Sequence, residues 1–359
     1  MTGKERFCET MRFGTPDRPF YRELVCWPET YDRWHTEGYP KRADFRTYFG
    51  FDRYESIGVD EEINPVFTEQ IIEETDNHII KIDWRGVKVK LAKGSRSIPF
   101  FYGFPVTDRE SFRTFKKRLD PSSSSRFPHA WDLRVSELEN RDYPVYMGTG
   151  RTFGFFGPIR EWVGPEALMF GFYDDPAWIH EMMDTYADFM IALSKPILER
   201  ITLDSIHFFE DMAYRGGSLI SPDFFRTFMM GPYRRVIDHF RSYNVPFLIV
   251  DSDGKVDELI PLFIELGIDG MYPFEVQAGM DIIEVRKRYG KQFAIWGGVD
   301  KRALALTKKD IEREVYRRIP PMLELGGYFP GLDHETPPDV PFGNFCYYRD
   351  LVREVCEKG

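Results

Sequence analysis

The chain has 359 residues, 42% of them hydrophobic and 16% aromatic, with a formal net charge of −10 and a pI near 5.4. That much apolar side chain builds a large core and excludes disorder, while the acidic balance argues against nucleic acid or an anionic membrane as the main partner. The four cysteines, Cys8, Cys26, Cys346 and Cys356, lie far apart and form no CxxC pair, which fits free thiols in a reducing compartment.

The first residues are charged and carry no apolar signal core, and no run of about 18 apolar residues follows, so a cytoplasmic protein without a membrane span is expected. Residues 3–13 are predicted as a short amphipathic helix, residues 19–27 as a first strand carrying Arg22 and Glu23, and residues 28–38 as a second helix. From about Asn64 the period changes to two. Segments 80–83 and 87–91 alternate apolar and polar around Trp84-Arg85-Gly86, which marks an antiparallel excursion over residues 64–104. A helix over 107–119 and an exposed link over 120–125 follow.

Beyond residue 140 the pattern becomes regular. Strands are predicted at 145–148, 205–209, 247–250, 269–272, 293–296 and 327–329, with helices at 175–200, 221–243, 255–266, 281–289 and 308–325. Asp175-Pro176 and Ser221-Pro222 are helix-start signals, and Thr307 with Asp310 is close to a capping box. Such alternation implies parallel strands joined by right-handed crossovers. Counting the strand near residue 20, seven or eight strands favour one α/β domain spanning 1–359, a closed (β/α)8 TIM barrel carrying the antiparallel excursion.

The stretch Phe247-Leu248-Ile249-Val250-Asp251-Ser252-Asp253-Gly254 organises the functional reading. A doubly buried strand runs straight into an acidic turn, at the strand end where α/β folds bind ligands. The other strands end alike: Glu210 and Asp211 after the strand at 205, Glu275, Asp300, and then Asp333 with His334. Each carboxylate alone could cap a helix, Asp253 included. Gathered at one barrel mouth, the set must bind a cation, share protons or pair with arginine. Arg151 also follows a strand end, whereas His207 lies inside a strand and reads as a core histidine. The glycines at 148, 150, 154 and 157 form no dinucleotide-binding pattern.

Several motifs resemble the uroporphyrinogen decarboxylase family. They are Glu210-Asp211-Met212-Ala213 with Ser221-Pro222-Asp223-Phe224-Phe225, Gly157-Pro158, Asp175-Pro176, Gly297-Gly298-Val299-Asp300 and the tail from Asp333 to Pro341. The opening, Arg12 to Pro19, is similar to the family's start, and the resemblance covers most of residues 140–355. It implies a (β/α)8 barrel with its site at the mouth, and either tetrapyrrole decarboxylation or methyl transfer to a corrinoid protein. True decarboxylases carry an Arg-Gln-Ala-Gly-Arg motif near the first strand, where this chain offers only Arg22 in Tyr21-Arg22-Glu23-Leu24-Val25-Cys26-Trp27. The coenzyme M methyltransferases of the superfamily carry His-x-Cys-Gly where this chain has Asp251-Ser252-Asp253-Gly254. Carboxylates in place of sulfur favour a substrate that presents oxygen.

The sequence therefore predicts a methyltransferase that moves a methyl group from a methoxy substrate to the cobalt of a corrinoid carried by a partner protein. Asp251, Asp253, His334, Glu210 and Glu275 are its candidate catalytic residues. Either a divalent ion, zinc by preference, is held among Asp251, Asp253, His334 and Glu210, or these groups act directly as acids and bases. Arg22, Trp27, Arg151, Tyr272 and Trp296 are the candidate substrate contacts. A decarboxylase, drawing on Arg22, Arg151 and Arg302, and a non-catalytic small-molecule sensor are the alternatives.

Overall fold

The structure, a computed structural model, describes residues 1–94, 98–148 and 150–357. Seven parallel strands form its central sheet: β1 (Glu55–Ser56), β2 (Val145–Met147), β3 (Ser205–Phe209), β4 (Phe247–Asp251), β5 (Gly270–Tyr272), β6 (Ala294–Trp296) and β7 (Tyr328–Phe329). Their spatial order is their chain order, and every ladder is parallel. Helices join them, among them Pro176–Leu198, capped by Asp175, and Lys308–Leu325, which opens on a complete capping box of Thr307 and Asp310.

The sheet is curled, and its two faces bury different cores. Phe247, Ile249, Ala294, Trp296 and Phe329 point inward, where they meet Phe7 of the helix Gly3–Met11, Phe20 and Tyr54. Leu248, Val250, Met271 and Ile295 point outward into the larger core shared with the helices. Rings from opposite parts of the curl touch across the interior, with Tyr54 and Trp296 centroids 6.0 Å apart. Phe7 packs there against Phe20, Tyr54, Phe247, Trp296 and Phe329 and closes that end of the interior.

The expected first strand is not formed, so the described residues show a seven-stranded curl rather than a complete eight-stranded barrel. Residues 19–27 run irregularly past the inner ring cluster, with one parallel bridge from Cys26 to Thr336. Side chains take the hydrogen bonds that a ladder would use. The Tyr21 N–H donates to Asp52 Oδ2 at 2.7 Å, and Glu23 Oε1 accepts from the Leu332 N–H at 2.6 Å. The helix expected from residue 255 begins only at Ile260, after a turn in which the Lys255 N–H donates to the Tyr214 carbonyl at 3.0 Å. The helix expected over 221–243 is interrupted by a π-helical turn, Phe225–Met229.

The antiparallel excursion is a four-stranded sheet made by Gln70–Glu74, His78–Ile82, Lys88–Ala92 and Phe100–Gly103. Residues 95–97, which the excursion also spans, lie outside the described residues, as does Thr149 of the segment between β2 and Arg151. No helix among the described residues is long and apolar enough to cross a membrane.

Candidate active site

A cavity of about 590 Å³ opens at the carboxyl ends of the strands. Its floor is built by inward residues of the curl. The Tyr54 hydroxyl lies 2.5 Å from Ser205 Oγ and is also hydrogen-bonded to His207 Nε2, while His207 Nδ1 is 3.2 Å from the Tyr272 hydroxyl. Burial, reinforced by the charge of Arg22, pushes the His207 pKa well below the usual histidine value, so this imidazole is neutral. The Arg22 guanidinium sits 4.7 Å from the Tyr54 ring centroid, 4.6 Å from Trp296 and 5.6 Å from Tyr272. Its Nη1 is buried without a hydrogen-bond partner among the described residues.

Asp251, the last residue of β4, stands above this floor. The apolar residues of its strand explain its chemistry: burial, with the charges of Asp253 and Asp211 added, raises its pKa well above the ordinary carboxyl value. The chain then turns at Gly254, whose φ is +81° and whose Cβ would stand 2.7 Å from the Ala213 carbonyl carbon. Asp253 does not cap a helix. Its Oδ2 lies 3.0 Å from His334 Nε2. Burial opposes the imidazolium of His334, but the hydrogen bond and charge of Asp253 outweigh it and lift the pKa to about 9. The rim therefore sets Asp251, whose carboxyl burial holds towards its protonated form, beside the hydrogen-bonded pair of Asp253 and His334.

Trp27, Arg151 and Tyr272 line the same cavity, and Trp296 lies just beneath it, under Arg22. Arg151 is already paired with Glu161 at 2.6 Å. Glu275 stands behind the rim. Its Oε2 accepts from the Gly254 N–H at 3.0 Å and its Oε1 is 3.5 Å from Lys301 Nζ, so it sets the turn that carries Asp253. Arg302 is paired with Asp300 outside the cavity.

Glu210 does not join the group. It is fully buried on the outer side of the sheet, where its oxygens accept from the Phe155, Phe156 and Gly157 N–H groups and from the Tyr233 hydroxyl. Its place is fixed by strand parity: Phe209 faces inward, so the next residue faces outward. Zinc would need several converging donors, and among the described residues no group of three or more His, Cys, Asp or Glu side chains could hold a metal ion. Asp253 and His334 bond each other, and the oxygens of Glu210 are taken by backbone amides.

The cavity also contains residues outside the candidate catalytic and substrate-contact set. His207, read as plain core, lines it, as do Tyr146, Asp211, Glu23 and Glu335. Burial raises Glu23 to about 8 and pushes Glu335 up as well. The alternation of Ser205, His207 and Phe209 with apolar neighbours was the available signal, since residues two apart share a face.

A family model described as uroporphyrinogen decarboxylase (URO-D) matches residues 85–355, more than half of the chain. The chain belongs to the uroporphyrinogen decarboxylase family. Within this family it is 24% identical over 141 residues to a uroporphyrinogen decarboxylase of Legionella pneumophila, a match spanning 39% of each chain. It is 23% identical over 250 residues to that of Hydrogenovibrio crunogenus, covering 66% of this chain and 67% of the relative. The fold is also that of a solved methyltransferase from Methanosarcina mazei, with a TM-score of 0.60 at 15% identity over 99% of this chain and 98% of the other.

Proposed function

We propose that this member of the family is a methyltransferase that takes the methyl group of a methoxy substrate and passes it to the reduced cobalt of a corrinoid carried by a partner protein. The observation that carries this reading is the rim chemistry. A carboxyl that burial holds towards its protonated form and an imidazolium held on Asp253 face one cavity. Such a site supplies protons. A methyl–oxygen bond resists displacement because an alkoxide or phenolate leaves poorly, so charge at that oxygen must be neutralised as the bond breaks. In this reading Asp251 gives its proton to the oxygen, which keeps the bonding electron pair, while the methyl carbon goes to the acceptor. His334, on Asp253, is the second donor at the same rim and restores the proton balance. Trp27, Tyr146, Phe209 and Tyr272 give the cavity aromatic walls suited to a methoxylated aromatic ring. The methyltransferase of M. mazei, which shares the fold, agrees with this choice within the family.

Decarboxylation is the second reading, favoured by the Arg22 guanidinium, whose Nη1 lacks a partner, and by the names of the curated relatives. Against it, Glu23, Asp211, Asp251, Asp253 and Glu335 line the cavity, Arg151 is committed to Glu161 and Arg46 donates to the Tyr54 carbonyl. A polycarboxylate would meet mostly carboxyl groups. Incubating the protein with methoxylated aromatics and cob(I)alamin should bleach the cobalt(I) absorbance only when a methoxy substrate is present. No bleaching with any aromatic or with the partner protein, together with carbon dioxide release from a porphyrinogen, would decide for the decarboxylase.

A further inference from the structure

A second cavity of about 360 Å³ lies between the antiparallel sheet and the barrel, and it shares only Gly150 and Arg151 with the rim of the first. Its walls are aromatic and apolar. Trp162 packs against Phe115 at 5.1 Å and Tyr186 at 5.0 Å, and Trp84, 37% exposed, flanks the opening. Three glutamates reach it. Glu61 is satisfied by the Gly148 N–H at 3.0 Å and the Thr152 hydroxyl at 2.8 Å, and Glu161 is bridged by Arg85 and Arg151. Glu62 differs. Its backbone N–H bonds Asp60 Oδ1 and its carbonyl accepts from Arg126, but its carboxyl group has no hydrogen-bond or ion-pair partner among the described residues. Arg85, a nearby cation, is committed to Asp83 and Glu161.

We propose that this chamber is a second binding site, separate from the barrel mouth, for a small organic cation such as an aryl or alkyl ammonium. Glu62 is the glutamate there whose carboxyl has no partner among the described residues, and aromatic faces attract a cation while sheltering its apolar body. Burial and the neighbouring carboxylates raise Glu62 to about 7, which is the condition a bound cation would relieve. The site does not depend on the reaction assigned to the mouth.

Calorimetric titration with benzyltrimethylammonium tests the proposal, with benzyl alcohol as the uncharged ring. The cation should bind the intact protein at least tenfold more tightly than the alcohol. Glu62→Gln, which disturbs no hydrogen bond, should weaken the cation at least tenfold, and Trp84→Ala should weaken it too. Asp253→Asn, in the mouth, should leave it unchanged. No heat with the cation, equal binding of the two probes, or a loss in Asp253→Asn in place of Glu62→Gln would overturn it.

Discussion

Asp251 follows Phe247, Leu248, Ile249 and Val250 in one strand, and that apolar context is why its carboxyl is held towards the protonated form. Replacing it with Asn keeps the shape and removes the acid. The turnover of Asp251→Asn should fall by about 10²–10⁴, the range of general acid catalysis, with little change in folding at neutral pH. A carboxyl whose folded pKa exceeds its unfolded value of about 3.9 contributes stability that is complete below that value and is lost as pH rises through the folded one. Urea melts should therefore show the native protein losing stability towards alkaline pH relative to Asp251→Asn. His334 titrates in the same sense. Its contribution is complete below its unfolded value of about 6.5 and disappears as pH rises through about 9. Because burial opposes the imidazolium and Asp253 is the main group that sustains it, with Glu275 adding less, Asp253→Asn should move the His334 titration, followed by NMR, down in pH. The alkaline limb of the activity profile should move with it.

At the scale of the element, Glu210 is a structural carboxylate. It joins the start of the helix Phe156–Val163 to Tyr233 of the helix Met230–Ser242, two elements far apart in the chain. Each buried donor left without a partner costs about 1–3 kcal/mol, so Glu210→Ala should lower unfolding free energy by about 3 kcal/mol or more. Glu210→Gln, which retains an acceptor, should cost less. Both effects are measured by urea unfolding, and neither variant should alter the pH profile of activity. The segment from Arg18 to Trp27 shows the converse. Apolar residues on both sides of Arg22 and Glu23 suggested a strand, yet Asp52 and Glu23 take over its hydrogen bonds and hold it as an irregular strap, which carries Arg22 into the curl.

Over the whole molecule, the curl is closed at its base by Phe7, which is 0% exposed and meets rings contributed by β4, β6 and β7. Phe7→Ala should cost about 3–5 kcal/mol in a denaturant melt, because the surrounding rings belong to separate strands that cannot collapse together into the void. The parallel series, the antiparallel excursion and the strand-end carboxylates were legible in the chain because they rest on local periodicity and on caps such as Asp175 and Thr307. What each carboxylate does was not. Glu210 and Asp251 both close a strand, and the β3–β4 register sets Asp251 beside Phe209, turning one carboxyl into the cavity and the next residue of β3 out of it. Likewise, the pairing of Asp253 with His334 and the caging of Arg22 by rings from three distant segments join residues that no local pattern connects. Sequence by itself determined the order of the elements and the kinds of group at the mouth. Which of them share a face and hold a proton was decided by long-range strand pairing and burial, which exist only once the chain has closed on itself.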